Sequence, residues 1–244
     1  MNNQIFKNEK YLEVTYSDKI APKTNYPHKL GKWLLNTFFK KPGTIVDLGC
    51  GRGEYLEVFD NLGFEASGVD LSPNIKKVKK YFSVQLADLE KDQNPFPNRK
   101  FDYVFSKSVV EHLHNPSNLA DMAYSCLKPE GRAIIMTPSW EYTHWGPFYI
   151  DHTHVTPFTK HSLKSLLEIS GFENVEVCYF YQLPFLWRWP FLTPLIRLFA
   201  KIPLPYAPFK ESPWPNKLNK LIRFSKEVML LAVCTKPKET QCLK

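Results

Sequence analysis

The chain has 244 residues, of which 43% are hydrophobic, 23% charged and 15% aromatic, and a formal net charge of +8. That length supports one domain whose core needs no disulfide or metal staple, and so aromatic a composition excludes a disordered chain. The charge is uneven: residues 1–41 carry +5, residues 42–180 carry −5 and residues 181–244 carry +8.

A basic surface suits nucleic acid, an anionic membrane or a phosphorylated substrate, and composition does not choose among them. Five cysteines are scattered with no CxxC pair, which fits free thiols in a reducing compartment. The opening MNNQIFKNEKYLE lacks the apolar run of a signal peptide, so the expectation is a cytoplasmic chain. The most apolar stretch, 183–209, is broken by six prolines and by Arg188, Arg197 and Lys201. It is no ordinary membrane span.

In chain order, residues 1–25 are polar and turn-rich and read as an arm. Leu30, Trp33, Leu34 and Phe38 recur at helical spacing over 26–39, and Pro42-Gly43 stops that helix. A short buried strand over 44–48 runs into a glycine-rich turn. Helix over 55–62, strand over 65–69, a short Lys-rich helix over 75–81 and strand over 82–87 follow. Next come strand 101–106, helix 118–127, a turn at 128–131 and strand 132–137. A helix over 159–170, stopped by Gly171, and a strand over 175–181 complete the alternation. A final hydrophobic strand spans 228–235. Alternating strands and helices imply a doubly wound parallel sheet covered on both faces, with ligands bound beyond the carboxyl ends of its strands. Residues 26–244 then make one domain, with 183–220 an insertion before the last strand.

The strongest local signal is VDLGCGRG, residues 46–53. Asp47 ends a strand, and Gly49, Gly51 and Gly53 follow at alternate positions. Glycine permits a tight turn and close approach of backbone to a ligand, and the helix that follows offers free N–H groups. The spacing is GxGxG, not the GxGxxG of nicotinamide-binding turns. Asp70 ends the next strand in GVDLSP, seventeen residues past Gly53, where a carboxylate can accept from both hydroxyls of a ribose. Asp88, in ADLE after the following strand, can reach an adenine amino group while Leu89 supplies an amide. Each residue alone reads as a cap or a solvated turn; three at consecutive strand ends make a constellation.

These motifs resemble those of class I S-adenosylmethionine-dependent methyltransferases. VDLGCGRG is similar to motif I, GVDLSPN to the ribose-binding strand end and ADLE to the adenine-side turn. FDYVFSKSVVEHLHNP and LKPEGRAIIMTP are similar to the fourth- and fifth-strand motifs. The likeness covers about 26–180 and 228–235. It implies a Rossmann-like seven-stranded sheet with an antiparallel last strand, and S-adenosylmethionine as cofactor. Asp47, Gly49, Cys50, Gly51 and Gly53 would hold the methionine end, Asp70 with Leu71 the ribose, and Asp88 with Leu89 the adenine. Ser106 would line the pocket.

Methyl transfer from a sulfonium needs a positioned nucleophile and, for a hydroxyl, a base. His titrates near neutrality and suits that task. His112 and His114 follow the fourth strand; His152, His154 and His161 follow the fifth. His112, in the family's EHL tripeptide, reads either as a base or, with Glu111, as pocket wall. DHTHVTPFT resembles a D-x-T-H-x-x-P-F/Y-T stretch of methyltransferases of glycan and glycolipid pathways, in which Asp151, Thr153 and His154 match. Alternatively this segment only caps the helix beginning near Pro157, with Thr156 as N-cap. The expected catalytic set is His154, His112 and His152, with Glu111, Trp145, Tyr149 and Asp151 on the acceptor side. On a strand, His152 and His154 would point to the same side; no firm ligand spacing supports a metal, and none is expected.

The insertion places Leu195, Ile196, Leu198 and Phe199 on one helical face, beside Arg197 and Lys201, with Trp187, Trp189 and Trp214 nearby. Tryptophan with basic residues suits a membrane interface or a lipid-linked acceptor; a lid or a homodimer contact is the plainer alternative. The Lys-rich helix lacks the aromatic interleaving of nucleic-acid binders, so no nucleic-acid partner is expected. The resulting expectation is O-methylation of a sugar or polyol on a glycan, glycolipid or lipid-linked precursor, in the cytoplasm or peripheral to the inner membrane face. A small-molecule or quinone-type methyltransferase and a non-catalytic cofactor-binding scaffold are the alternatives.

Overall fold

The computed structural model describes residues 22–72, 75–207 and 213–238. Most of the sequence-read arm, 1–25, therefore lies outside the described residues. Among those described, seven strands form one sheet: β1 (Thr44–Leu48), β2 (Glu65–Asp70), β3 (Ser83–Leu86), β4 (Phe101–Lys107), β5 (Leu127–Pro138), β6 (Glu173–Phe180) and β7 (Met229–Thr235). Their order is β3-β2-β1-β4-β5-β7-β6. β1 to β5 pair in parallel, and β7 runs antiparallel between β5 and β6. This is the doubly wound arrangement read from the sequence.

The helices are α1 (Tyr26–Leu34, extended by a π turn over Leu35–Phe39), α2 (Glu54–Asn61), α3 (Ile75–Val78), α4 (Pro116–Cys126) and α5 (Trp140–Thr143), then α6 (Lys160–Ile169), α7 (Pro184–Arg188), α8 (Thr193–Ala200) and α9 (Asn216–Lys226). Strands buried on both faces read as continuous apolar runs, and neighbouring residues enter opposite cores. Val46, Val104, Ala133 and Ile135 pack under α4 and α6 through Leu119, Ala123, Leu163 and Leu167. Ile45, Phe105, Ile134 and Met136 pack under α1 and α2 through Leu30, Leu34, Leu56 and Phe59. Each fully buried Val, Leu, Ile, Phe or Met among these contributes about 1.5–3 kcal/mol of transfer free energy.

Three local expectations shift. The Lys-rich helix is one turn, because Ile75 and Val78 bury and the lysines after them offer no further apolar anchor. The turn at 128–131 is a bulge inside β5: Leu127 pairs with Phe101 and the ladder resumes at Arg132 opposite Tyr103. Thr156 does not cap α6, since its hydroxyl donates to the Leu113 carbonyl at 2.6 Å. Thr159 caps it instead, accepting from the Ser162 N–H in a reciprocal capping box.

The segment between β6 and β7 holds α7, α8 and α9. Trp187 on α7 stacks on Phe180 (5.3 Å between centroids) and packs against Trp33 and Tyr26, so this tryptophan ties the insertion to α1 rather than facing outward. The expected single apolar face of α8 is divided. Ile196 packs inward beside Tyr181, Leu183 and Leu186, while Leu195 and Leu198 are 63% and 64% exposed. On α9, the Asn219 amide donates to the Ala207 carbonyl at 2.8 Å and its oxygen accepts from the Ala207 N–H at 3.1 Å, holding the extended chain before it.

Candidate active site

β1 and β4 are neighbours whose next connections diverge to opposite sides of the sheet. The crevice above their carboxyl ends is the ligand site of such folds. The glycine turn sits there. The Gly49 and Cys50 amides both donate to the Val69 carbonyl, at 2.8 and 3.0 Å, and lash the turn to β2. A Cβ at Gly49 would collide with Val109 beyond β4. Gly51, at φ +51°, is different: among the described residues a Cβ there would meet nothing within 4 Å, so its backbone is open on that side. Gly53 is the N-cap residue of α2.

Asp70 is pinned beneath this turn, one oxygen accepting from Gly51 N–H at 2.8 Å and the other from Ser72 N–H at 2.7 Å. Burial raises its pKa and the backbone donors from Ser72, Gly51 and Leu71 oppose the rise. Asp47 is buried, and its pKa is pushed up to about 8, first by burial and then by the charge of Asp70, with Lys107 opposing. A buried and a part-buried carboxylate beside an open backbone turn favour a ligand that brings positive charge.

The remaining cofactor candidates divide by role. Ser106 donates to the Leu48 carbonyl at 2.8 Å and ties β4 to the end of β1. Asp88 accepts from Glu90 N–H at 2.9 Å and lies 3.4 Å from the Lys91 ammonium, with Leu89 buried beside it. The Cys50 thiol turns inward against β2, where a Cβ at Gly68 would lie 2.7 Å from its sulfur. Its side chain belongs to the core beneath the turn, and only its backbone stays with the cradle.

Beyond the carboxyl ends of β4 and β5, a one-turn helix after β4 (Val110–His112) and the irregular segment after β5 converge. Glu111 is fully buried; one oxygen accepts from the Thr137 hydroxyl at 2.9 Å, and the other is buried with no partner among the described residues. Burial foremost, then the charge of Asp151, raises its pKa to about 7 against Thr137 and Lys107. The Glu111 carbonyl receives the Val155 and Thr156 amides, at 2.9 and 3.0 Å, which brings the second segment over the first. The His112 and His154 rings meet edge-to-face, 4.7 Å apart.

Both rings are oriented from behind. His154 Nδ1 lies 2.6 Å from the Phe148 carbonyl; the carbonyl only accepts, so Nδ1 carries the proton and Nε2 is the basic nitrogen. His112 Nδ1 lies 2.8 Å from the Thr153 hydroxyl, whose own proton goes to Asp151 at 2.6 Å. That directs the His112 proton to Nδ1 as well. Burial lowers the pKa of His112 to about 4, helped by His154, and lowers that of His154 too. Both imidazoles are neutral at physiological pH.

The remaining acceptor-side candidates separate. His152 is exposed and does not join the pair, because 151–157 is a turn (His154 N–H to the Asp151 carbonyl, 3.2 Å) and not a strand; strand alternation does not apply to it. Trp145 is exposed and donates to the Tyr142 carbonyl at 2.8 Å. Tyr149, also exposed, packs with Trp140 on Phe148, the ring that flanks His154 at 4.8 Å. Sequence reading missed Thr137, the Phe148 carbonyl and the orphan oxygen of Glu111. Thr153 was visible as a matched residue but without its relay.

A glycine turn, an acid at each of three neighbouring strand ends and an antiparallel last strand are the features of the class I S-adenosylmethionine-dependent methyltransferase fold. The cofactor of that class is S-adenosylmethionine, and the open side of Gly51 beside Asp47 and Asp70 fits it. The signature of the methyltransferase domain family matches residues 23–177, and the chain belongs to that family. Phosphoethanolamine N-methyltransferase 2 of Caenorhabditis elegans is 28% identical over 152 residues, 56% of this chain and 34% of that protein. A ubiquinone biosynthesis O-methyltransferase of Xanthomonas euvesicatoria pv. vesicatoria is 29% identical over 104 residues, 38% of this chain and 42% of that protein. The chain thus covers well under half the length of either relative. A SAM-dependent methyltransferase from Archaeoglobus fulgidus has the same fold, with a TM-score of 0.61 at 23% identity, covering 91% of this chain and 99% of that one.

Proposed function

We propose that the chain methylates a hydroxyl of its acceptor, with His154 removing the proton and His112 beside it. The convergence of Glu111, His112 and His154 at the carboxyl edge carries this reading. S-adenosylmethionine supplies an activated methyl group on a sulfonium. Asp47 and the turn from Gly49 to Gly53 hold its methionine end, Asp70 with Leu71 the ribose, and Asp88 with Leu89 the adenine. Ser106 fixes the floor between β1 and β4. His154, its Nδ1 proton committed to Phe148, takes the acceptor proton at Nε2. Asp151, through Thr153, holds His112 in its tautomer. Glu111, Trp145, Tyr149 and Asp151 stand on the acceptor side.

The favoured acceptor is a sugar or polyol hydroxyl on a glycan, glycolipid or lipid-linked precursor. The DHTHVTPFT likeness supports it, as do the exposed Leu195 and Leu198 among the basic residues of the insertion. In this reading 26–244 form one domain, 183–220 is its acceptor-side insertion, and the chain works in the cytoplasm, peripheral to a membrane. A small-molecule or quinone-type acceptor is the second reading, supported by the likeness to phosphoethanolamine and ubiquinone-pathway methyltransferases. Among the described residues no helix is long and apolar enough to cross a membrane.

The test is transfer of labelled methyl from S-adenosylmethionine to separate pools of soluble sugars, lipid extract and quinone precursors, by the wild type and by His154→Ala and His112→Ala. The expected result is label in the sugar or lipid pool and a loss of 100-fold or more in His154→Ala, as for removal of a general base. Unchanged turnover in both variants would sink the histidine-base reading, and label confined to quinone precursors would favour the second acceptor.

A further inference from the structure

We propose that Glu111, His112 and His154 form a binding site for one divalent first-row transition-metal ion. A carboxylate oxygen and one ring nitrogen of each histidine lie within 4.8 Å of one another. Small rotamer changes close that spacing onto an ion bound at about 2.0–2.2 Å. Two imidazoles and one carboxylate form a donor set that leaves positions open for an exogenous ligand and favours transition ions over Mg²⁺ or Ca²⁺.

Two further observations point to a cation. Among the described residues the buried second oxygen of Glu111 has no hydrogen-bond partner, and a buried carboxylate oxygen left so is costly; a cation coordinated there satisfies it. The outer contacts are those of metal-binding histidines, whose second nitrogen donates to a carbonyl or a carboxylate and fixes the tautomer. His154 is backed directly by the Phe148 carbonyl. His112 is backed by Thr153, which is in turn held by Asp151 through its hydroxyl and, at 3.0 Å, its amide.

The inference rests on the reading of this edge as the place where the acceptor hydroxyl loses its proton, and it changes the agent. A bound ion lowers the pKa of a coordinated hydroxyl. The proton leaves to water, the oxygen forms its bond to the methyl carbon, and the sulfur–methyl bond breaks with its electron pair going to sulfur.

The test titrates Co²⁺ and Zn²⁺ into the chelator-stripped full chain, followed by visible absorption for Co²⁺ and calorimetry for both, with S-adenosylmethionine binding measured in parallel as the report on folding. The expected result is one ion per chain, bound at least tenfold more weakly by Glu111→Gln and by His154→Ala and equally well by His28→Ala, whose histidine is exposed on α1. Should Glu111→Gln fail to bind S-adenosylmethionine, His154→Gln supplies the second reading. No saturable uptake by the wild type, or a loss in His28→Ala equal to that in His154→Ala, overturns the metal site. Absent metal uptake with intact S-adenosylmethionine binding refutes this inference alone, whereas absent S-adenosylmethionine binding refutes the reading beneath it.

Discussion

Replacing Gly51 with Ala separates the open side of the glycine turn from its backbone strain. Gly51 lies at φ +51°, and a Cβ there meets nothing within 4 Å among the described residues, so the added methyl clashes with none of their atoms. The cost to the fold is a side chain held in the left-handed region, about 1–2 kcal/mol. For a chain of this size that lowers Tm by roughly 2–4 °C per kcal/mol. Gly63 is the control. Its φ is +87°, the nearest atom to a Cβ is Pro42 Cγ at 3.6 Å, and it precedes β2 at the opposite edge of the sheet. Gly63→Ala therefore carries a similar strain far from the crevice. Thermal unfolding is expected to show comparable losses in both variants. Calorimetry is expected to show S-adenosylmethionine binding weakened tenfold or more, about 1.4 kcal/mol, in Gly51→Ala alone. Equal affinity in the two variants would refute the claim that the open side of Gly51 is the cofactor cradle.

Asp47 titrates near pH 8 because burial and the charge of Asp70 penalise its ionised form, and a cationic ligand favours that form. Binding S-adenosylmethionine at pH 7 is therefore expected to release a proton, seen as a dependence of binding heat on buffer ionisation enthalpy, and to tighten as pH rises toward 8. In the ligand-free chain a raised carboxyl pKa gives stability that falls as pH rises from about 4 to 8, so Asp47→Asn should flatten denaturation midpoints across that window; an unchanged slope would contradict it. The exposed apolar face of α8 is expected to bring the chain down with anionic liposomes at low salt. Leu195→Asp with Leu198→Asp should abolish this without a large change in Tm, and a wild type that stays in the supernatant would remove the membrane reading.

The sheet was legible because β1 is a short apolar run between Pro42-Gly43 and Gly49, because β4 and the second half of β5 carry apolar runs (Tyr103–Phe105, Ala133–Met136), and because glycines and acids fall at successive strand ends. Covalent spacing carries that information: Asp47, Asp70 and Asp88 each sit where a parallel strand must stop. The arrangement of the candidate acceptor-side residues was legible only in part. The DHTH motif announced His154, but the loop that holds it is built by the Glu111 carbonyl gripping the Val155 and Thr156 amides, a backbone contact with no sequence signature. That turn separates His152 from His154, which strand alternation would have kept together. The sequence places Glu111 only as a wall residue; its burial, with one oxygen unpartnered among the described residues, comes from the packing of the segment after β4 against Thr137 of β5. The inward turn of Trp187 depends on Phe180, one strand end before it, and on Trp33, far away in sequence.

The central claim is that the Asp47–Gly53 turn and Asp70 bind S-adenosylmethionine for methyl transfer. Calorimetric titration of the full chain with S-adenosylmethionine and S-adenosylhomocysteine tests it most directly. The account predicts saturable one-site binding of both, weakened at least tenfold in Asp70→Asn, which keeps the shape but loses the charge beneath Gly51. No binding of either ligand, or binding indifferent to Asp70→Asn, would contradict it.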